Sequence, residues 1–348
     1  MHIPDGYLSP STCIVMYAAA APFWVRAMQR IRSWLKGRNL PLVALFAAAS
    51  FVIMMFNLPL PGGTTGHATG AVLAAIVLGP WPAVLAVSVA LIIQALFFGD
   101  GGILAIGANC FNMAVVMPLV GYGLYRLISR DAPLTSARRP VAAAIAAYVG
   151  LNVGALLTAL EFGIQPLLFK AADGTPLYAP YGLGIAVPAM MIGHLLVAGV
   201  IEAALTGLVV AYLQRAHREV LEVAHVQAQQ PTGEPVETPR RRRPLWVLWV
   251  GLGVLALLTP LGLLASGTAW GEWGANELRD LGLGFIPAGL ERLGTVWNAP
   301  IPDYAVPFLG ERVGYVVSAV LGIGLIVLVF WLLGWIVDRP GRRRKSAD

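Results

Sequence analysis

Nine apolar runs, bounded by turn residues or by clusters of Lys and Arg, restrict this chain to one kind of fold. They read as about 11–26, 41–57, 66–79, 81–98, 103–125, 141–162, 184–213, 245–265 and 313–337. A helix of ~20 apolar residues crosses the ~30 Å hydrocarbon layer of a bilayer and satisfies its own backbone there. The chain is 57% hydrophobic and 12% charged, whereas a soluble domain averages about 45–50% and about a quarter. The expected fold is an all-α polytopic membrane protein with about nine transmembrane helices: a seven-helix bundle followed by a two-helix C-terminal hairpin.

Charge placement sets the orientation. With the N-terminus outside, the inner segments 26–38, 126–139, 214–243 and 339–345 hold 20 of the 24 Lys and Arg residues. The outer segments hold Lys170, Arg279, Arg292 and Arg312. This is the positive-inside pattern, and it excludes a nucleic-acid reading of the net charge of +6. Residues 1–214 form the bundle, 215–243 a charged cytoplasmic linker without apolar periodicity. Residues 244–340 form the hairpin, with its outer loop at 266–312, and 341–348 a basic cytoplasmic tail. Cys13 and Cys110 lack ligand spacing and imply no disulfide framework. No Gly-x-x-x-x-Gly-Lys-Ser/Thr loop or His-Glu-x-x-His is present, so neither ATP hydrolysis nor zincin proteolysis belongs to this chain.

The chemistry begins at residue 1. No basic residue precedes Arg26, so a secretory signal is not expected, and a bulky second residue disfavours removal of Met1. Met1 and His2 then offer an amine, a backbone amide and an imidazole. The amine and amide close a five-membered chelate ring; the amide and Nδ1 of His2 close a six-membered one. A fourth nitrogen completes a square plane, the geometry of Ni(II) or Cu(II). His67, in Gly62-Gly63-Thr64-Thr65-Gly66-His67, lies on the same outer side and is the candidate. A frayed terminus and a capping histidine are the plain alternative.

Few polar groups interrupt the apolar runs, and such groups usually face protein, water or a site. Asn109 and Asn112, three apart on one helix face, are candidates to steady a ligand ring, as is His194; interhelical hydrogen bonding is the simpler role. His194 and Glu202 share the seventh run and form a candidate proton relay. Gly66-x-x-x-Gly70 and Gly150-x-x-x-Gly154 permit close helix contact.

Three stretches resemble one family. They are Met1-His2-Ile3-Pro4-Asp5-Gly6-Tyr7-Leu8, Gly66-His67-Ala68-Thr69-Gly70, and Phe98-Gly99-Asp100-Gly101-Gly102-Ile103 through Gly107-Ala108-Asn109-Cys110-Phe111-Asn112-Met113-Ala114. The resemblance is to the CbiM/NikM substrate-binding (S) components of energy-coupling factor transporters for cobalt and nickel. It implies an N-terminal segment plunging into the bundle, with Met1, His2 and His67 as metal ligands. The region 245–337 resembles the CbiN/NikN accessory component fused to the S component. Its Pro-Asp-Gly-Leu-Glu motif reads Pro287-Ala288-Gly289-Leu290-Glu291 here. Ala288 cannot be a ligand; Glu291 is left with a capping or docking role.

The resemblance also implies a transmembrane coupling (T) component and an ATP-binding cassette ATPase as partners, a place in the inner (cytoplasmic) membrane, and no bound cofactor beyond the substrate ion. Four nitrogens in a plane favour Ni2+ over Co2+; a cobalamin-synthesis setting would favour cobalt. The alternatives are a proton-coupled secondary carrier using His194 and Glu202, disfavoured by the lack of an internal repeat, and an intramembrane metalloenzyme, which needs an open coordination position.

Overall fold

The computed structural model describes residues 1–35, 39–222, 246–265 and 267–345, excepting the side chains of 32–35 and 338–345. It is mostly helical. The bundle comprises α1 (Pro10–Leu35), α2 (Leu40–Met54), α3 (Ala71–Leu78), α4 (Pro80–Phe98), α5 (Ile106–Ser129), α6 (Arg138–Leu168) and α7 (Leu183–Ala216). A small antiparallel pair, β1 (Leu58–Leu60) and β2 (Thr64–Gly66), joins α2 to α3. The hairpin comprises α8 (Trp246–Leu264) and α11 (Glu311–Lys345), with short α9 (Ala275–Asp280) and α10 (Ala288–Leu293) between them.

Six helices among the described residues are long and apolar enough to cross a membrane: α4, α5, α6, α7, α8 and, as Glu311–Val337, α11. Nine were expected. The third expected span, 66–79, changes most. Its helix is α3, eight residues long, or ~12 Å at about 1.5 Å per residue. Gly66 ends β2, and Gly70 adopts φ 67° ahead of α3. Residues 67–69 therefore lie outside the helix, Gly70 caps it by accepting from the Ala74 N–H at 2.9 Å, and all four are buried. Gly66-x-x-x-Gly70 is thus not a helix-contact pattern. Gly150-x-x-x-Gly154 is one: a Cβ on Gly150 would lie 2.8 Å from Val72 of α3, and one on Gly154 2.8 Å from Met117.

Of the expected linker, 215–222 is described, with helix to Ala216 and again over 218–222; 223–243 lies outside the described residues. The expected tail is helical to Lys345, and 346–348 lies outside them. Cys13 and Cys110 are buried and unpaired.

Hairpin and bundle share a core. Gly322 of α11 lies so close to Phe51 of α2 that an added Cβ would enter the ring. Tyr315 donates to the Met55 carbonyl at 2.9 Å, and Tyr304 stacks on Phe98 with ring centroids 4.8 Å apart. The hairpin's loop reaches the β pair: Thr65 bridges to Ala269, and Thr64 donates to the Thr268 carbonyl at 2.9 Å.

Residues 1–9 enter this shared core as non-helical chain. Met1, His2, Ile3, Tyr7, Leu8 and Ser9 are all at most 3% exposed. Their backbone groups find partners far along the sequence. The Ile3 N–H donates to Asn109 at 2.8 Å, the Ile3 carbonyl accepts from Gly102 and Asn109, and the Ser9 N–H donates to Gln165 at 3.0 Å. Asp5 accepts from the N–H groups of Ile103 and Leu104 at 3.0 and 2.8 Å. Its pKa is raised by burial, opposed by those same hydrogen bonds. Gly102 is obligatory here, because a Cβ would fall on the Asp5 amide and carboxylate. Gly102→Ala is expected to cost about 1–3 kcal/mol. The readout is a lower melting temperature in detergent, with proteolytic access to the first nine residues.

Candidate metal centre

The N-terminal segment delivers its first two residues to the meeting point of β2, the α4–α5 turn and the hairpin loop. The Met1 amine lies 3.0 Å from Glu272 Oε1. His2 Nδ1 lies 2.9 Å from Asp100 Oδ1 and 3.2 Å from His67 Nε2. The two imidazoles are 4.9 Å apart between centroids. The structure thus brings together Met1, His2 and His67.

Each group is held from behind. His67 Nδ1 is 3.0 Å from the Ala68 carbonyl. A carbonyl accepts only, so Nδ1 carries the proton and Nε2 presents its lone pair towards His2. Burial works against ionisation of Asp100, yet His2 beside it and the Tyr304 hydroxyl hold its carboxyl well below the usual carboxylate range. Asp100 also accepts from the Tyr304 hydroxyl at 2.6 Å and from Gln94 at 3.1 Å. His2 Nε2 is buried without a hydrogen-bond partner.

His2, Asp100 and Glu272 present ligand atoms within 4.8 Å of one another. They line a cavity of about 280 Å3 together with His67, Asp303 and Tyr304. Two imidazoles and the carboxylates of Asp100, Glu272 and Asp303 thus line one cavity, with Asn57, Thr65, Thr268, Tyr304 and Tyr315 as its other polar side chains. That donor set suits a divalent cation. A second cavity of about 320 Å3 adjoins it, between Pro4, Asp5 and Gly102 on one side and Trp273, Glu291 and Trp297 on the other.

The other sequence candidates divide. Asn109 acts on the site through the Ile3 backbone and not through a ligand ring. Asn112 bonds across to Thr158 and Glu161 of α6 at 3.2 and 3.0 Å, which is interhelical glue. His194 Nδ1 donates to the Met190 carbonyl of its own helix at 2.7 Å, and its ring lines a small cavity beside Met1 and Thr65. His194 and Glu202 share no hydrogen bond; Glu202 instead serves residues 69 and 70. Glu291 lies on α10, where Gly289 donates to the Leu177 carbonyl at 2.7 Å and Leu290 abuts Gly6. That is docking of the hairpin loop on the N-terminal segment.

Asp100 and Glu272 were missed as site residues. The only sequence signals were an acid inside the turn Phe98-Gly99-Asp100-Gly101-Gly102 and another between Trp270 and Trp273, both placed outside by the charge pattern.

A family model for the CbiM cobalt uptake substrate-specific transmembrane region matches residues 2–220. The chain belongs to the CbiM family. A PDGLE domain matches residues 245–339, so the accessory region is fused to the CbiM region. The fused nickel transport protein NikMN of Rhodobacter capsulatus is 53% identical over 342 residues, covering 94% of this chain and 95% of that one. The probable fused nickel transport protein LarMN of Lactiplantibacillus plantarum is 46% identical and covers 96% of both chains. A crystal structure of a transition metal transporter is 52% identical with a TM-score of 0.59, covering 66% of this chain and 100% of that one. This CbiM-family chain is a multi-pass membrane transport protein and not an enzyme.

Asn109→Ala would leave the buried Ile3 N–H without an acceptor, at a cost of about 1–3 kcal/mol. Hydrogen exchange should show faster exchange in the peptide covering residues 1–8 while α6 is unchanged.

Proposed function

We propose that the chain captures Ni2+ from the outer side of the inner (cytoplasmic) membrane as the substrate-binding subunit of an energy-coupling factor importer. The ligands are the Met1 amine, the His2 backbone amide and Nδ1, and His67 Nε2. One observation carries the reading: the His2 Nδ1 to His67 Nε2 separation of 3.2 Å. Two nitrogens at right angles, each about 2.0 Å from one ion, lie ~2.8 Å apart. The two rings are therefore within a few tenths of an ångström of adjacent corners of a square. The Met1 amine and His2 amide reach the remaining corners through the chelate rings.

Four nitrogens in a plane suit Ni2+ better than Co2+, and the relatives named as nickel transport proteins support that order. Cu2+ would bind such a set at least as well, so selectivity rests partly on metal supply. Asp100 and Glu272 give the approach its negative charge.

The orientation follows the positive-inside pattern, with the N-terminus outside. Nine crossings result when α1, α2 and α3 are counted, with the non-helical residues 67–70 leading into α3. ATP hydrolysis falls to a separate ATP-binding cassette subunit, coupled through a transmembrane (T) component. The fused hairpin acts as the accessory component, closing over the N-terminal segment.

The test is one residue added before Met1. It moves the amine out of the chelate and leaves every helix intact. Metal analysis of the purified protein should show nickel in the unmodified chain and none in the extended chain or in His67→Ala. Equal nickel in all three overturns the ligand set; cobalt in the unmodified chain overturns the metal order.

Loading should also depend on pH. The amine, the imidazoles and the amide must all shed protons to bind. Protons compete with the ion for each of these donors, so retention should fall as the pH drops. Equilibrium dialysis across pH 5–8 measures it.

A further inference from the structure

Glu202 lies on α7, is fully buried, and serves none of the roles described above. Its carboxylate accepts the Thr69 N–H at 2.7 Å, the Gly70 N–H at 3.1 and 3.2 Å, and the Thr69 hydroxyl at 3.2 Å. Every group facing it donates, which is the arrangement an ionised carboxylate requires. It also stands at the N-terminal end of α3, where the helix dipole favours negative charge.

The Thr69 N–H and the Ala68 carbonyl belong to the same peptide group. Glu202 holds the N–H end of that peptide. His67 Nδ1–H donates to the carbonyl end at 3.0 Å. A single peptide plane therefore stands between a buried carboxylate and the imidazole whose Nε2 faces His2. Hydrogen bonds in series polarise one another. A carboxylate hydrogen-bonded to a metal-ligating imidazole fixes its tautomer and raises its basicity. Here the same influence passes through a peptide.

We infer that Glu202 is the positioning residue for His67, setting its tautomer, ring orientation and donor strength through the 68–69 peptide. This rests on the reading of His67 as a ligand. It also ties that ligand mechanically to α7. A shift of α7 relative to α3 would withdraw the carboxylate and free the 67–70 segment, loosening one corner of the square. The proton-relay role for Glu202 is replaced by an anchoring one.

The experiment uses the full chain in detergent. Glu202→Gln keeps the shape but removes the charge, and in either orientation it sets an amide NH2 against the Gly70 N–H. Nickel dissociation should be about 10–100-fold faster, the range for losing an outer hydrogen-bond partner of a ligand. The ligand-field absorption band of the nickel complex should move to lower energy. Thr69→Val removes the hydroxyl's bonds to Glu202 and from the Ala71 N–H but keeps the peptide link, so its dissociation rate should stay within about threefold of wild type. Glu202→Gln with an unchanged rate and band overturns the inference, as does Thr69→Val matching it. Should Glu202→Gln fail to fold, the wild-type chain still decides: 15N NMR of its ligand-free form should show His67 protonated at Nδ1 and bare at Nε2. The reverse tautomer overturns the inference. A wild-type chain that holds no nickel would sink the capture reading instead, and the tautomer measurement would still judge the peptide link.

Discussion

Lipid offers no hydrogen bonds, and this protein carries two stretches of non-helical chain in its buried core. Residues 1–9 and 67–70 form no helical ladder, and their N–H and C=O groups need other partners. The partners are polar side chains on otherwise apolar helices: Asn109 and Gln165 for the first stretch, Glu202 for the second. Asp5 returns the service to the α4–α5 turn. Most of the polar groups scattered through the apolar runs thus serve backbone and not solute. The two irregular stretches meet where their ends coincide, and there stand His2 and His67.

The architecture exacts a strict geometry. Helical chain supplies ligands only at fixed spacings, whereas an inserted terminus presents an amine and a backbone amide, donors that no helix interior has free. Close packing makes room for it. Gly102 lets the Asp5 backbone pass, Gly6 lets Leu290 close over it, and Gly289 lets α10 settle on Leu177 and Tyr178. The hairpin thereby becomes the roof of the centre, contributing Glu272 and Tyr304 directly.

Much of this was written in the sequence, and the reasons for the rest are physical. The long apolar runs identified α4 to α8 and α11, because length and hydropathy are local properties. The run 66–79 gave no sign that residues 67–70 are irregular, because that part is stabilised by Glu202, 133 residues from Thr69. Chelate geometry and charge topology made Met1, His2 and His67 candidates for one site, and the family resemblance implied that they meet. Asp100 and Glu272 could not, since an acid in a turn acquires a role only when another segment folds against it. Ala288 shows the reverse: a changed motif residue, while Gly289 and Leu290 keep the docking contacts.

The bonds made by the N-terminal segment span unusual distances along the chain. Tyr7 reaches Trp273 across 266 positions, and Met1 reaches Glu272 across 271. Residues 1–9 leave the ribosome before every one of those partners. They must wait, unanchored, until the hairpin loop that holds those partners has been made. A segment synthesised before its partners is therefore seated only after them, and its docking locks bundle and hairpin together.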